Sequence, residues 1–121
     1  MNLTIKDRVL ILKGILPPYD SSRGIELKKS IENKIKLSLE ESEVVVVTNM
    51  GHDQYELSFK PNDNIDYRKE KFFSITEEEL KYLKEKVDFL DRDGRFSDFT
   101  LETYSKIADE PLINTEEKDI E

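Results

Sequence analysis

The sequence predicts an α+β domain with two helical hairpins packed on a small antiparallel β-meander. Three observations predict it. Apolar residues recur at helical spacing towards both ends of the chain. Between them, four valines in a row, Val44–Val47, precede an alternation of Tyr55, Leu57 and Phe59 with Gln54, Glu56 and Ser58. Helix-start signals stand in front of the apolar stripes.

The first helix begins at Thr4, an N-cap answered by Asp7 three residues on. Ile5, Val9, Leu12 and Leu16 follow at helical spacing, and Leu10, Ile11 and Ile15 widen the apolar surface to most of the circumference. A helix apolar on so many sides is buried on several faces or docks on another chain. Its periodicity outruns the four residues Val9–Leu12 that would suit a strand. Gly14 weakens the last turn and Pro17-Pro18 end it. A second helix is expected from about Gly24 to Leu37, with Leu27, Ile31 and Ile35 as its stripe, paired antiparallel with the first.

Ser38-Leu39-Glu40-Glu41 has the form of a capping box and predicts one short helical turn. The valine strand comes next. Asn49–Asp53 reads as a hairpin loop, Tyr55–Phe59 as a half-buried strand, and Lys69–Ile75 as a third strand. Glu40, Glu41 and Glu43 stand before the valines as gatekeepers against edge pairing. Thr76-Glu77-Glu78-Glu79 opens the next helix, with Leu80, Leu83, Val87 and Leu90 inward and Glu77–Lys81 and Lys84–Asp88 as i,i+4 pairs. Gly94 stops it. Ser97 or Asp98 starts the last helix, whose short apolar face is Phe99, Tyr104, Ile107 and Ala108. Residues 1–108 are thus expected to form one globular domain, and residues 109–121 an acidic, disordered tail.

Charge is divided by region. Residues 1–36 carry eight Lys/Arg against four Asp/Glu, residues 37–108 ten against seventeen, and residues 109–121 one against six. Such asymmetry describes surfaces that attract partners. The chain has no Cys, which excludes disulfides, thiolate zinc sites and cysteine nucleophiles and favours a reducing compartment. No apolar run approaches the ~18 residues of a membrane span, and the charged opening residues do not resemble a signal peptide. A cytoplasmic protein is expected.

No motif specifies a reaction. Asp91-Arg92-Asp93-Gly94 invites comparison with a calcium loop, but that register would place Phe89 and Thr100 where oxygen ligands and a bidentate Glu are required. A Gly-terminated helix accounts for it better. His52, the one histidine, falls in the expected hairpin loop beside no triad partners. Only four scattered glycines are present, so there is no phosphate loop. Neither a metal nor an organic cofactor is expected. The one basic cluster is Arg23, Lys28, Lys29, Lys34 and Lys36 on the second helix. It reads as a footprint for an anion, a nucleic acid or a partner. The rival reading is a solvated face, or one that meets the acidic central region within the fold or a dimer. Five of the eight net negative charges belong to the tail, which leaves little for a rigid nucleic-acid mimic.

The opening Asp7-Arg8-Val9-Leu10-Ile11-Leu12-Lys13-Gly14-Ile15-Leu16-Pro17 resembles a group of small bacteriophage and prophage accessory proteins. These carry an E-R-L-x-L-x-x-I-L-P-like first helix and a second helix ending K-I-x-L-T/S-x-E-E. Here Lys34-Ile35-Lys36-Leu37-Ser38-Leu39-Glu40-Glu41 stands in that second place, and Glu78–Lys84 with Leu90–Phe96 is similar to the group's two-helix ending. Asp7 replaces the usual Glu, and the valine strand is longer. The resemblance carries over no catalytic residues. It implies a non-enzymatic accessory protein in the cytoplasm of a bacterial host cell, docking on a host protein and, in the counter-defence form of that reading, inhibiting it. Two alternatives remain: a binder of an anionic small molecule or nucleic acid through the basic second helix, and a structural phage component that forms homo-oligomers through the first helix.

Overall fold

The computed structural model describes residues 1–51 and 54–112, with Gln54 and Tyr55 as backbone only. His52, Asp53 and residues 113–121 lie outside the described residues, and with them the expected loop histidine and most of the expected tail. The fold is α+β, with helices packed against small antiparallel β structure.

Strand β1, Asn2–Leu3, leads into α1, Ile5–Leu10, through the expected Thr4–Asp7 capping box. The helix then widens into a π-helical turn, Ile11–Ile15, closed by the Leu16 N–H on the Ile11 carbonyl at 3.0 Å. Ile5, Val9, Leu10, Ile11 and Ile15 are all buried within the chain itself, which accounts for the apolar circumference. Helix α2, Ser22–Ile35, starts at a Ser21 cap. It lies chiefly against α4, Glu77–Arg92, and not along α1 as the expected hairpin would have it. Ile31 and Ile35 share a buried cluster with Leu80 and Leu83, and polar contacts join the same two helices. Arg23 pairs with Glu78, while Ser30 and Lys34 both reach Glu79, so the acidic start of α4 draws in the basic side of α2. The second expected hairpin does form, between α4 and α5, Asp98–Asp109. Lys84, expected to pair with Asp88, instead donates to the Ile107 and Ala108 carbonyls at the end of α5, and Asp88 pairs with Arg92. Gly94, at φ +69°, ends α4 as predicted.

The expected meander is divided between two ladders. Strands β2, Val45–Gly51, and β3, Gln54–Phe59, form a hairpin in the register Val45↔Phe59 and Val47↔Leu57. Asn49–Gly51 belong to the strand and not to a loop, with an irregularity before Gly51 at φ +82°. The third strand is only Lys71–Phe72, β4, and it pairs with β1 instead of joining the hairpin. Backbone hydrogen bonding extends this second ladder: the Phe73 N–H donates to the Met1 carbonyl at 2.8 Å. Two apolar clusters result. The larger joins the π-helical turn with α2, α4 and α5; the smaller sets Ile5, Val9 and Val44 against the hairpin face of Val45, Leu57 and Phe59.

Arg8, 2% exposed, connects these parts. Its Nε donates to the Ile35 carbonyl at 2.9 Å and one Nη to the Lys36 carbonyl at 2.7 Å, satisfying the end of α2. The other face of the fork grips Glu41 at 2.8 and 3.0 Å, and the guanidinium lies 4.8 Å from the Phe73 ring centroid. Glu41 therefore is no gatekeeper: it is buried in α3, Leu39–Glu43, where its carboxylate also accepts from the Ser38 N–H. These hydrogen bonds, led by Arg8, hold the Glu41 carboxyl at about 2, below its ordinary 4.5. A folded-state value below the unfolded one means that the stabilisation is complete above about pH 4.5 and is lost as pH falls towards about 2. Glu41→Gln is expected to lower the unfolding free energy near neutral pH by about 3–5 kcal/mol, the cost of stripping a buried cation of its partner. It should also flatten the acid decline. Urea unfolding at neutral and acid pH reads both effects.

Candidate functional site

The five basic residues singled out in the sequence do not act as one group. Arg23 is drawn into ion pairs with Glu26 and Glu78, and Lys34 bonds Glu79 at 2.6 Å. Lys28 is half-buried, and Lys29 and Lys36 are exposed at seven-residue spacing. Among the described residues these three form no ion pair. Much of the basic helix thus meets the acidic central region within the fold.

The other ionic groups on α1 are also inward. Asp7 does more than cap: its carboxylate accepts from the Thr103 hydroxyl and the Lys106 ammonium, both at 2.5 Å, and Lys106 also reaches Glu70 at 2.8 Å. Burial pushes the Asp7 carboxyl up, but the bonds from Lys106, Thr103 and Thr4 outweigh it and hold it low. Glu79 shows the same balance, burial being overcome by Lys34, Ser30 and Thr76. The Asp7 and Glu79 carboxylates are thus taken up by their neighbours, while Lys106 and Glu70 also line a surface cleft with Lys6, Arg68 and Glu102. Among the described residues no three His, Asp or Glu side chains converge as metal ligands do, and no helix is long and apolar enough to cross a membrane.

What the fold presents outward is a loop. After the π-helical turn, Pro17, Pro18, Tyr19 and Asp20 carry the chain towards α2. The prolines restrict φ at two successive residues. Asp20 then clamps the loop to α4: its carboxylate accepts from the Tyr82 hydroxyl at 2.7 Å and the Lys86 ammonium at 3.0 Å, and from its neighbour's Ser21 N–H at 2.7 Å. These bonds, the tyrosine's first, hold the Asp20 carboxyl at about 2. Burial, reinforced by Asp20, pushes the Tyr82 hydroxyl up, so it remains a donor. Gly24 completes the clamp, because a Cβ there would stand 2.4 Å from the Asp20 carboxyl carbon.

Between proline restraint and carboxylate clamp, Tyr19 stands 88% exposed. Phe89, 60% exposed on α4, lines the shallow cleft beside Pro17 and Pro18, so one exposed ring and two pyrrolidines share it. The restraint falls on the backbone that carries the ring, and a large exposed aromatic presented from a fixed place is the type of group that anchors protein interfaces. The sequence reading assigned no role to the residues between Pro17-Pro18 and the second helix. The signal was there: a large aromatic directly after Pro-Pro and before an acid.

Comparison with known protein families, curated proteins and solved structures returned no match.

Removing the Tyr82 hydroxyl tests the clamp. In Tyr82→Phe the largest cause of the low Asp20 value is gone, so the Asp20 carboxyl should titrate clearly higher, towards its ordinary 3.8. Carbon-detected NMR titration of the aspartate side chains reads this directly. A value still near 2 would mean that Ser21 and Lys86 suffice.

Proposed function

We propose that this protein is a non-enzymatic binding module that docks on another protein through the Pro17–Tyr19 loop and the adjoining Phe89. The observation that carries the reading is the posture of Tyr19, almost wholly in solvent on a loop restrained by two prolines and by the Asp20 clamp. A single exposed aromatic would be unremarkable, since much protein surface is apolar. An exposed aromatic on a restrained backbone, next in the chain to prolines that share a cleft with the exposed Phe89, has the character of an interface anchor.

The ionic chemistry supports the same reading. The carboxylates and cations with the most perturbed surroundings, Asp7, Glu41, Glu79 and Lys106, tie elements together. Resemblance of the first two helices and the last two to phage accessory proteins supplies the context: the inside of a bacterial cell, with a host protein as partner. Inhibition of that partner, as in counter-defence, is the specific form that this context favours. Docking through the basic helix is less well supported, because Arg23 and Lys34 are already paired with Glu78 and Glu79.

Affinity capture from a bacterial lysate at low salt, read by mass spectrometry, tests the proposal. The wild-type chain should retain a stoichiometric partner. Tyr19→Ala should weaken its retention by about 30-fold or more, the loss typical of a central aromatic anchor, and Phe89→Ala should act in the same direction. Lys29→Glu should have little effect. Capture of nothing by wild type, or equal capture by Tyr19→Ala, would overturn the reading.

A further inference from the structure

A second feature, which adjoins the docking cleft at Lys13 and Gly14 but involves neither Tyr19 nor Phe89, lies where the π-helical turn, the β2–β3 hairpin and the start of α5 meet. A cleft of about 690 Å³ opens there, within the range of small-molecule sites. Leu10, Leu57 and Tyr104 line it, with Met50 and Phe99 as exposed flanks.

Two observations raise it above an ordinary surface hollow. The first is Tyr104. Its side chain is 95% buried by its 5% exposure, yet its hydroxyl forms no hydrogen bond among the described residues. A hydroxyl on so buried a residue with no partner in the protein is uncommon, so its retention calls for an explanation. Burial pushes this phenol's pKa up, which keeps it a neutral donor. The second is the backbone opposite. A Cβ on Gly14 would stand 2.9 Å from the Tyr104 oxygen, so the hydroxyl occupies space that only glycine leaves open. Gly14 lies inside the π-helical turn, a distortion frequent at functional sites.

Lys13 and Glu56 contribute one charge of each sign, so the lining has no net charge to draw in an ionic ligand, and Leu10, Met50, Leu57 and Phe99 make much of it apolar. Ser97 and Thr100, also on the lining, are occupied with each other in the capping box of α5. The Tyr104 hydroxyl is left as the one buried polar group with a bond to give. We infer that this cleft is a binding site for an uncharged, mainly apolar small molecule with a hydrogen-bond acceptor, such as a carbonyl oxygen, placed against Tyr104.

Benzophenone and 1,1-diphenylethylene make a matched pair of probes: two rings on a C=O in one, on a C=CH₂ in the other. In ¹H–¹⁵N NMR titrations of the full chain, benzophenone should give saturable shifts concentrated at Lys13, Gly14, Leu57, Thr100 and Tyr104. It should bind roughly 2- to 10-fold more tightly than the hydrocarbon, the worth of one hydrogen bond. Tyr104→Phe, which keeps the ring, should erase that preference while leaving hydrocarbon binding in place. Absence of saturable shifts, shifts centred elsewhere, or equal affinity of wild type for the two probes would overturn the inference. So would a carbonyl preference that survives in Tyr104→Phe. The wild-type comparison decides the matter even if the variant fails to fold. A positive result here with no partner captured would separate this site from the docking proposal.

Discussion

Arg8 ties α1 to the end of α2 and to α3, and the electrostatics of a buried cation make that tie obligatory. A guanidinium removed from water must find its compensation inside the protein. It does so with two carbonyls that α2 could not satisfy alone and with a carboxylate that α3 delivers through its own capping box. Each partner is useful only if the other elements are in place. The hairpin follows directly from α3, since Val44, the residue that ends that turn, is buried against Ile5 and Val9. The position of the β structure relative to the helices thus descends from one side chain.

Asp7, the neighbour of Arg8, does the complementary job on another side of the same helix. Successive residues on a helix point about 100° apart. Arg8 reaches the α2–α3 junction, and Asp7 reaches Thr103 and Lys106 on α5. An adjacent acid and base on α1 therefore link the first segment of the chain to its middle and its last helix. With those charges fixed inward, the surface is left to loops such as Pro17–Asp20, where rigidity is supplied by prolines and a carboxylate clamp instead of by a core.

Much of the local structure could be read in the sequence, because its signals are short-range. Thr4, Ser38, Thr76 and Ser97 each cap where their spacing to the next acid or hydroxyl says they should, and Gly94 stops α4 with its positive φ. Long-range partnerships were harder. Lys71–Phe72 pairs with Asn2–Leu3, and nothing in either dipeptide specifies the other. Glu41 is indistinguishable by composition from Glu40 and Glu43, yet it alone is buried among the three, because its place in the turn faces Arg8. The basic cluster was visible as a row of cations but not as a set of partners for Glu78 and Glu79, whose approach depends on how α4 packs. The exposed aromatic on the Pro-Pro loop and the unpartnered hydroxyl of Tyr104 depend on burial, which no local pattern encodes.

The most direct measurement of this account is a double-mutant cycle on Arg8→Met and Glu41→Gln, followed by urea unfolding near neutral pH. If the guanidinium and the carboxylate hold the halves together as one unit, either substitution alone should be severe and the second should add little. The coupling would then approach the cost of Glu41→Gln alone, about 3–5 kcal/mol. Losses that simply add, to within about 0.5 kcal/mol, would show the two side chains acting separately and would contradict the account.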